Sequence, residues 1–129
     1  MTKGNQAYRT ILPKILAVDF DGTLVSDKFP DIGEPNWNIV NKVKMAKAVG
    51  YKLVLWTCRD NDNGGDNLSR AVEYCKLDLG LEFDAVNQNI KEVQEIFNND
   101  TRKVYADWYL DDKSIYSVDL PYKDVTECL

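Results

Sequence analysis

One short stretch of this chain, residues 15–24, limits the folds that it can adopt. It begins with four consecutive apolar residues, Ile15 to Val18, a pattern typical of a strand buried on both faces of a parallel sheet. Asp19 and Asp21 follow, and because side chains alternate along extended backbone, both carboxylates should project to the same side. Gly22 then allows a sharp turn. Two like charges at the end of a buried strand repel each other, so we expect a positive group beside them.

The rest of the chain alternates predicted strands and helices. Further strands are expected at 51–56, 83–86 and 106–110. Helices are expected from Asn36 to before Gly50, from Asp66 or Asn67 to Gly80, and from after Asn89 to before Asn98. The residues expected to face the core of these three helices are Trp37, Ile39, Val40, Val43 and Ala46, then Leu68, Ala71, Val72, Cys75 and Leu79, then Ile90, Val93 and Phe97. Short connections predict parallel βαβ units, so the expected fold is α/β, with a doubly wound, mainly parallel sheet and helices on both faces.

Length and composition exclude several function classes. A chain of 129 residues corresponds to one domain, predicted over 1–129 with residues 1–13 as a loosely ordered lead-in and 113–129 as a short helix or an edge strand. The net charge of -5 argues against a general nucleic-acid-binding surface. Histidine is absent and the three cysteines lack metal-ligand spacing, which excludes zinc sites and His-dependent triads. Reduced cysteines predict a cytoplasmic location, and with no apolar run of membrane-spanning length we expect no membrane partner.

Polar residues follow each of the later strands at the point where the strand ends. They are Thr57, then Asn87 and Asn89, then Asp111 and Asp112. Each of them alone is an ordinary turn residue or helix cap. Because the carboxyl ends of parallel strands form one edge of an open sheet, where ligands bind, we expect all of them to lie near Asp19 and Asp21.

Four motifs in order give this chain a family resemblance. The run Asp19-Phe20-Asp21-Gly22-Thr23-Leu24 resembles the signature of the haloacid dehalogenase (HAD) superfamily, whose members are mostly magnesium-dependent phosphatases. The stretch 53–57, ending in Thr57, resembles the second HAD motif, and 109–112 resembles the fourth. The resemblance covers residues 14–112. It implies a Rossmann-like HAD fold, and neither 22–35 nor 58–102 leaves room for the cap domain that larger members insert.

The resemblance also implies roles for individual residues. Asp19 would be the nucleophile that becomes an aspartyl-phosphate, and Asp21 the general acid and base. The Thr57 hydroxyl and the following N–H would bind phosphoryl oxygens. Lys103, with Arg102 as a rival, would neutralise phosphate. A Mg²⁺ ion would be bound by the Asp19 side chain, the Asp21 main-chain carbonyl and the Asp112 side chain, with Asp111 coordinating directly or supporting a ligand.

We therefore expect a magnesium-dependent phosphohydrolase acting on phosphomonoesters. The alternatives are a receiver-like phospho-acceptor domain, disfavoured because the middle strand ends in Thr57 instead of Asp, and a catalytically idle HAD-like binding module. Cys58, Arg59, Asn87 and Asn89 are the candidate substrate contacts, although Arg59 could simply pair with Asp60. Without a cap, closure is expected from a large or extended phosphorylated substrate, from a second subunit in a homo-oligomer, or from loops 24–35 and 59–66.

Overall fold

A parallel sheet of four strands forms the centre of the protein in the computed structural model, which describes residues 12–112. The elements in chain order are β1 (Ile15–Val18), α1 (Trp37–Ala48), β2 (Lys52–Leu55), α2 (Asn67–Tyr74), β3 (Ala85–Val86), α3 (Lys91–Phe97) and β4 (Trp108–Leu110). A short 3-10 turn at Asp62–Gly64 precedes α2, which continues as a π-helical turn over Cys75–Leu79. Gly80 then ends this helix with a φ of 71°, in the left-handed region that glycine adopts readily.

The strand order β3-β2-β1-β4 confirms a doubly wound α/β fold. The chain first builds outward from β1 to β3 and then returns to place β4 on the other side of β1. Helices α1 and α2 pack on one face of the sheet and α3 on the other. In sheets of this kind, ligands bind outside the carboxyl ends of the strands where the strand order reverses. In this chain, that position lies between the ends of β1 and β4.

The four residues of β1 are all buried, at most 2% exposed, because the strand has a hydrophobic layer on each side. Leu16 and Val18 pack in the layer that contains α1 and α2, whereas Ile15 and Ala17 pack in the layer that contains α3. A strand covered in this way has no polar face, which explains its uninterrupted apolar sequence. Loss of one such side chain, for example Leu16→Ala, would cost about 2–5 kcal/mol of stability.

Two aspartates fasten the edge strands to the inner strands by the same set of contacts. Asp107, directly before β4, accepts the N–H of Ile15 on Oδ2 at 2.7 Å and donates its own N–H to the Ile15 carbonyl at 2.8 Å. Asp84, directly before β3, does the same with Leu53, at 2.8 Å for both bonds. In each case the other carboxylate oxygen lies 3.9 Å from a lysine amine, Lys14 or Lys52. These contacts fix the register at the amino ends of the strands.

The predicted helices are confirmed, but two of their core assignments are wrong. Trp37 is 48% exposed, with the Lys44 amine 5.7 Å from its ring centre, and Phe97 is 38% exposed beside Tyr105. Within residues 12–112 the connections contain no inserted cap domain. None of the helices in this part of the chain is long and apolar enough to cross a membrane. The predictions for residues 1–11 and 113–129 lie outside the described residues, and Leu12 is buried against Ile15 and its neighbours.

Candidate active site

Three carboxylates meet where the strand order reverses. Asp19 directly follows β1, and Asp111 and Asp112 directly follow β4. The N–H of Asp19 donates to the carbonyl of Leu110 at 2.9 Å, which continues the β1–β4 pairing up to the edge of the sheet. One oxygen from each of Asp19, Asp111 and Asp112 lies within 4.8 Å of the others. The structure therefore confirms the prediction that the carboxylates of the first and fourth motifs lie close together.

The environment of Asp19 opposes its ionisation. Burial is the largest cause, and the charges of Asp111, Asp112 and Asp21 act in the same direction, so that the pKa of Asp19 is raised from 3.8 to about 7. The N–H of Phe20, which donates to Oδ1 of Asp19 at 2.8 Å, opposes this rise without cancelling it. A cation among the three carboxylates would remove much of the repulsion and favour the ionised form.

The turn after β1 brings Gly22 against Asp112. Gly22 has a φ of +79°, and its N–H donates to the Val25 carbonyl at 2.8 Å, which closes the turn. A Cβ atom at this position would lie 2.9 Å from Cγ of Asp112, closer than real Cβ contacts. Glycine is thus required at position 22 for both the backbone conformation and the space that Asp112 occupies. The hydroxyl of Thr23, the next residue, is buried and has no hydrogen-bond partner among the described residues.

Asn87 shapes the loop that carries Thr57. Its Oδ1 accepts the N–H of Thr57 at 2.8 Å, and its Nδ2 donates to the carbonyl of Arg59 at 3.2 Å. The Thr57 hydroxyl accepts the N–H of Arg59 at 3.1 Å. Asn87 itself has a φ of 53°, which asparagine tolerates better than most residues. These bonds hold Thr57 at the carboxyl end of β2, beside the acidic cluster.

Two adjoining cavities open at this edge and share Asp19, Thr57, Cys58 and Asp112. The larger, of about 430 Å³, is also lined by Trp56, Asn87 and Asp111. The smaller, of about 320 Å³, is also lined by Asp21, Asp27, Phe29 and Arg59. Asp19 thus faces enough space for a small phosphorylated group. Of the four predicted substrate contacts, Cys58, which is exposed, and Asn87 line the larger cavity.

Arg59 supplies a positive group beside Asp21. It is 2% exposed, and its Nε and Nη2 each donate to one oxygen of Asp21 at 2.7 Å. The suggested pairing with Asp60 is therefore wrong. Arg59 lines the smaller cavity, but its N–H groups point at Asp21 and at main-chain carbonyls, so its contact with a substrate stays a prediction. The need for a positive charge beside the paired aspartates was readable from the sequence, but the residue that provides it was not.

Asn89 and Lys103 do not join the other predicted residues. Asn89 is 1% exposed, and its side chain donates to Asp100 at 2.8 Å and accepts the N–H of Tyr105 at 2.6 Å. It therefore holds the segment before β4 and lines neither cavity, so its prediction as a substrate contact is not supported. Lys103 is exposed, and its amine lies 5.5 Å from the centre of the Tyr109 ring. Neither cavity is lined by Lys103, whose role toward phosphate stays a prediction.

No protein-family model matches this chain, and no curated protein matches it. A solved structure, that of a conserved protein coded by a locus of Bacteroides thetaiotaomicron, is similar to it with a TM-score of 0.71 and 33% sequence identity. The similarity covers 89% of this chain and 91% of the other. The chain belongs to the family of this conserved Bacteroides protein.

In this family member, the chemistry available at the site follows from its donor atoms. The cluster offers carboxylate oxygens alone, which suit a hard cation such as Mg²⁺ better than a soft metal. Asp19 is both part of this cluster and open to the two cavities. It is therefore the side chain best placed to react with a bound electrophile once its charge is stabilised.

Proposed function

We propose that this protein is a magnesium-dependent phosphohydrolase that cleaves phosphomonoesters through an aspartyl-phosphate on Asp19. The observation that carries the proposal is the acidic cluster itself, with oxygens of Asp19, Asp111 and Asp112 within 4.8 Å at the edge of the sheet where the strand order reverses. Resemblance to the HAD superfamily supports the same reading. So does the placement of Thr57, which the Asn87 hydrogen bonds hold beside Asp19.

The residues present fit a Mg²⁺ ion. The side chains of Asp19 and Asp112 and the main-chain carbonyl of Asp21 would hold it, with Asp111 coordinating directly or supporting a ligand. When bound, the ion would supply positive charge that offsets both the carboxylates and the phosphate. The raised pKa of Asp19 in the absence of an ion supports this need for positive charge.

The proposed reaction has two displacements at phosphorus. In the first, an Asp19 oxygen bonds to phosphorus while the bond to the leaving oxygen breaks, and Asp21 gives that oxygen a proton. In the second, Asp21 takes a proton from a water molecule as its oxygen bonds to phosphorus, and the bond between phosphorus and Asp19 breaks. The Thr57 hydroxyl and the Cys58 N–H bind the phosphoryl oxygens, and Lys103 or Arg102 is the proposed neutralising cation. The cytoplasm stays the predicted location.

A catalytically idle binding module is the second candidate, favoured by one observation. Both oxygens of Asp21 accept hydrogen bonds from Arg59, so a structural role as the partner of a buried guanidinium would by itself account for this carboxylate. Turnover separates the two candidates. A receiver-like domain, the third, would accept a phosphoryl group without multiple turnover. After β2, which ends at Leu55, this chain carries Thr57 where such a domain carries its acceptor aspartate.

The test is hydrolysis of p-nitrophenyl phosphate and of a panel of phosphomonoesters. We expect the wild-type protein to release phosphate with Mg²⁺ and not in chelator, and Asp19→Asn to lose several orders of magnitude in rate. Glu95→Gln, on the exposed face of α3, is the control that should keep full activity. Asp112→Asn should raise the Mg²⁺ concentration required. Equal turnover by wild type and Asp19→Asn would exclude Asp19 as the nucleophile, and an inactive wild type would favour the binding module.

A further inference from the structure

The guanidinium group of Arg59 uses all five of its N–H donors within the protein. Nε and Nη2 donate to the two Asp21 oxygens, both at 2.7 Å. The second N–H of Nη2 donates to the Asp31 carbonyl at 2.9 Å. Nη1 donates to the carbonyls of Pro30, at 3.2 Å, and Asn67, at 3.3 Å. One side chain thus joins the turn after β1, the loop that follows it and the start of α2.

Two aromatic rings also lie close to the same group. The centres of the Phe20 and Phe29 rings are 5.0 Å and 5.1 Å from Cζ of Arg59. Phe20 is fully buried, whereas Phe29 is 55% exposed and lines the smaller cavity with Asp19 and Asp21. Arg59 therefore lies against residues 27–33, the segment that carries Phe29, and Phe29 forms part of the wall of the smaller cavity.

That segment, residues 27–33, is also held by Ile32, which packs against the hydrophobic core, and by hydrogen bonds at its base. Ser26 donates its N–H to the Glu34 carbonyl at 2.8 Å, and the N–H of Glu34 donates to the Ser26 hydroxyl at 2.9 Å. Between these two positions most residues are exposed. Arg59 donates hydrogen bonds to two carbonyls within the segment, those of Pro30 and Asp31. Through the same guanidinium group, these bonds connect the segment to Asp21.

We propose that Arg59 is a positioning residue that couples the 27–33 segment to the carboxylate of Asp21. A buried guanidinium that gives up one partner leaves an unsatisfied donor, so the contacts to Asp21 and to the segment form or break together. Under the proposed function, on which this meaning for catalysis rests, the two hydrogen bonds from Arg59 set the position from which Asp21 exchanges a proton with the leaving group. Movement of the 27–33 segment, which carries Phe29, would shift Arg59 and with it Asp21. The position of this wall of the cavity and the placement of Asp21 are then linked.

The coupling itself is tested by amide hydrogen exchange of the whole chain, without reference to activity. Asp21→Asn retains Arg59 but removes the charge and one acceptor oxygen, 38 residues away in sequence from the guanidinium. We expect the amides of Ser26 and Glu34 to exchange about tenfold faster in Asp21→Asn and in Arg59→Lys, because the segment opens locally. Arg70→Lys, at an exposed position on α2, should leave them unchanged. Unchanged exchange in Asp21→Asn would overturn the proposal.

The effect on catalysis is tested by changing the leaving group. Arg59→Lys keeps the charge but cannot contact all five acceptors. We expect it to lower kcat on an alkyl phosphate about tenfold more than on p-nitrophenyl phosphate, because the better leaving group depends less on a well-placed acid. A purely structural role would lower both rates equally, and that result would overturn action through Asp21. If the wild type hydrolyses neither substrate, the proposed function fails and the exchange experiment decides the coupling.

Discussion

Gly22 and Asp112 lie so close together that the turn after β1 has no space for a side chain beside the Asp112 carboxylate. A Cβ on Gly22 would be 2.9 Å from Cγ of Asp112. The two residues belong to different motifs and lie 90 positions apart in a chain of 129 residues. Their contact places the backbone of the first motif against a proposed metal ligand of the fourth.

Gly22→Ala should therefore disturb Asp112 as well as the turn. We expect a loss of at least about tenfold in activity and a higher Mg²⁺ requirement, since a misplaced ligand weakens the site. Gly50→Ala is the matched control, because Gly50 also has a positive φ, of +108°, but a Cβ there would meet no atom within 4 Å. Both variants should lose about 1 kcal/mol of stability from the backbone conformation. A Mg²⁺ requirement that rises equally in both would contradict the role given to the contact.

The raised pKa of Asp19 predicts how stability depends on pH when no metal is bound. The folded protein holds a proton on Asp19 up to about pH 7, whereas the unfolded chain loses it near 3.8. The folded state therefore binds more protons between these values, and the contribution of Asp19 to the free energy of unfolding falls as the pH rises from about 4 to 7. In chelator at pH 8, Asp19→Asn should be more stable than wild type by about 1–2 kcal/mol. The gain is no larger because Asp19 is partly exposed, and solvent weakens the unfavourable interactions of its charge.

Chemical denaturation at pH 4 and pH 8 measures this effect. The advantage of Asp19→Asn should shrink at pH 4, where the wild-type carboxyl is protonated in both states. Saturating Mg²⁺ at pH 8 should stabilise the wild type, since a ligand that binds the folded state favours it. An advantage of the same size at both pH values would show that it does not come from the ionisation of Asp19.

The Thr23 hydroxyl offers a test of stability that is separate from charge. It is buried, and among residues 12–112 it has no hydrogen-bond partner. Thr23→Val replaces the hydroxyl with a methyl group of similar shape, so we expect a gain of about 1 kcal/mol. Thr23→Ser keeps the hydroxyl and loses the methyl group, and should lower stability instead. The melting temperatures of the two variants check this, and a loss of stability in Thr23→Val would indicate that the hydroxyl is bonded.

Asn87 should matter for catalysis through Thr57. Asn87→Gly keeps the backbone φ of 53° accessible but removes the hydrogen bonds to Thr57 and Arg59. We expect kcat to fall about tenfold, because the Thr57 loop is no longer held in place. Asn98→Gly is the control, since Asn98 has a φ of 51° at the end of α3. Steady-state kinetics of the two variants decide the point, and equal kcat values would contradict it.

The sequence predicted those parts of the site that depend on strand ends. The apolar run of β1 and the position of Asp19, Thr57 and Asp111 after three neighbouring strands place them at one edge, whatever the loops do. The sequence predicts that Asn89 lies beside Asn87, because both follow β3. However, the chain leaves the extended conformation at Asn87, where φ is 53°, so the alternation of side chains stops there.

The partner of Asp21 could not be predicted in the same way. Arg59 reaches it from a loop, and its direction depends on the positions of Pro30, Asp31 and Asn67. Local periodicity contains no information about such a contact. Trp37 and Phe97 show the same limit at helix ends, where the period of 3.6 predicts a direction but neighbouring elements decide whether a layer covers it.

The hydrogen bonds of Asp84 and Asp107 have a consequence for the opposite end of the sheet. They lie at the amino ends of strands that are only two and three residues long, β3 and β4, which contribute few ladder bonds of their own. A shift of β4 by one residue along β1 would turn the residues that follow it to the other face of the sheet. The direction in which Asp111 and Asp112 point at the carboxyl end of β4 thus depends on the hydrogen bonds of Asp107 at its amino end. In a sheet of such short strands, the geometry of the site depends on contacts along the whole length of the strands.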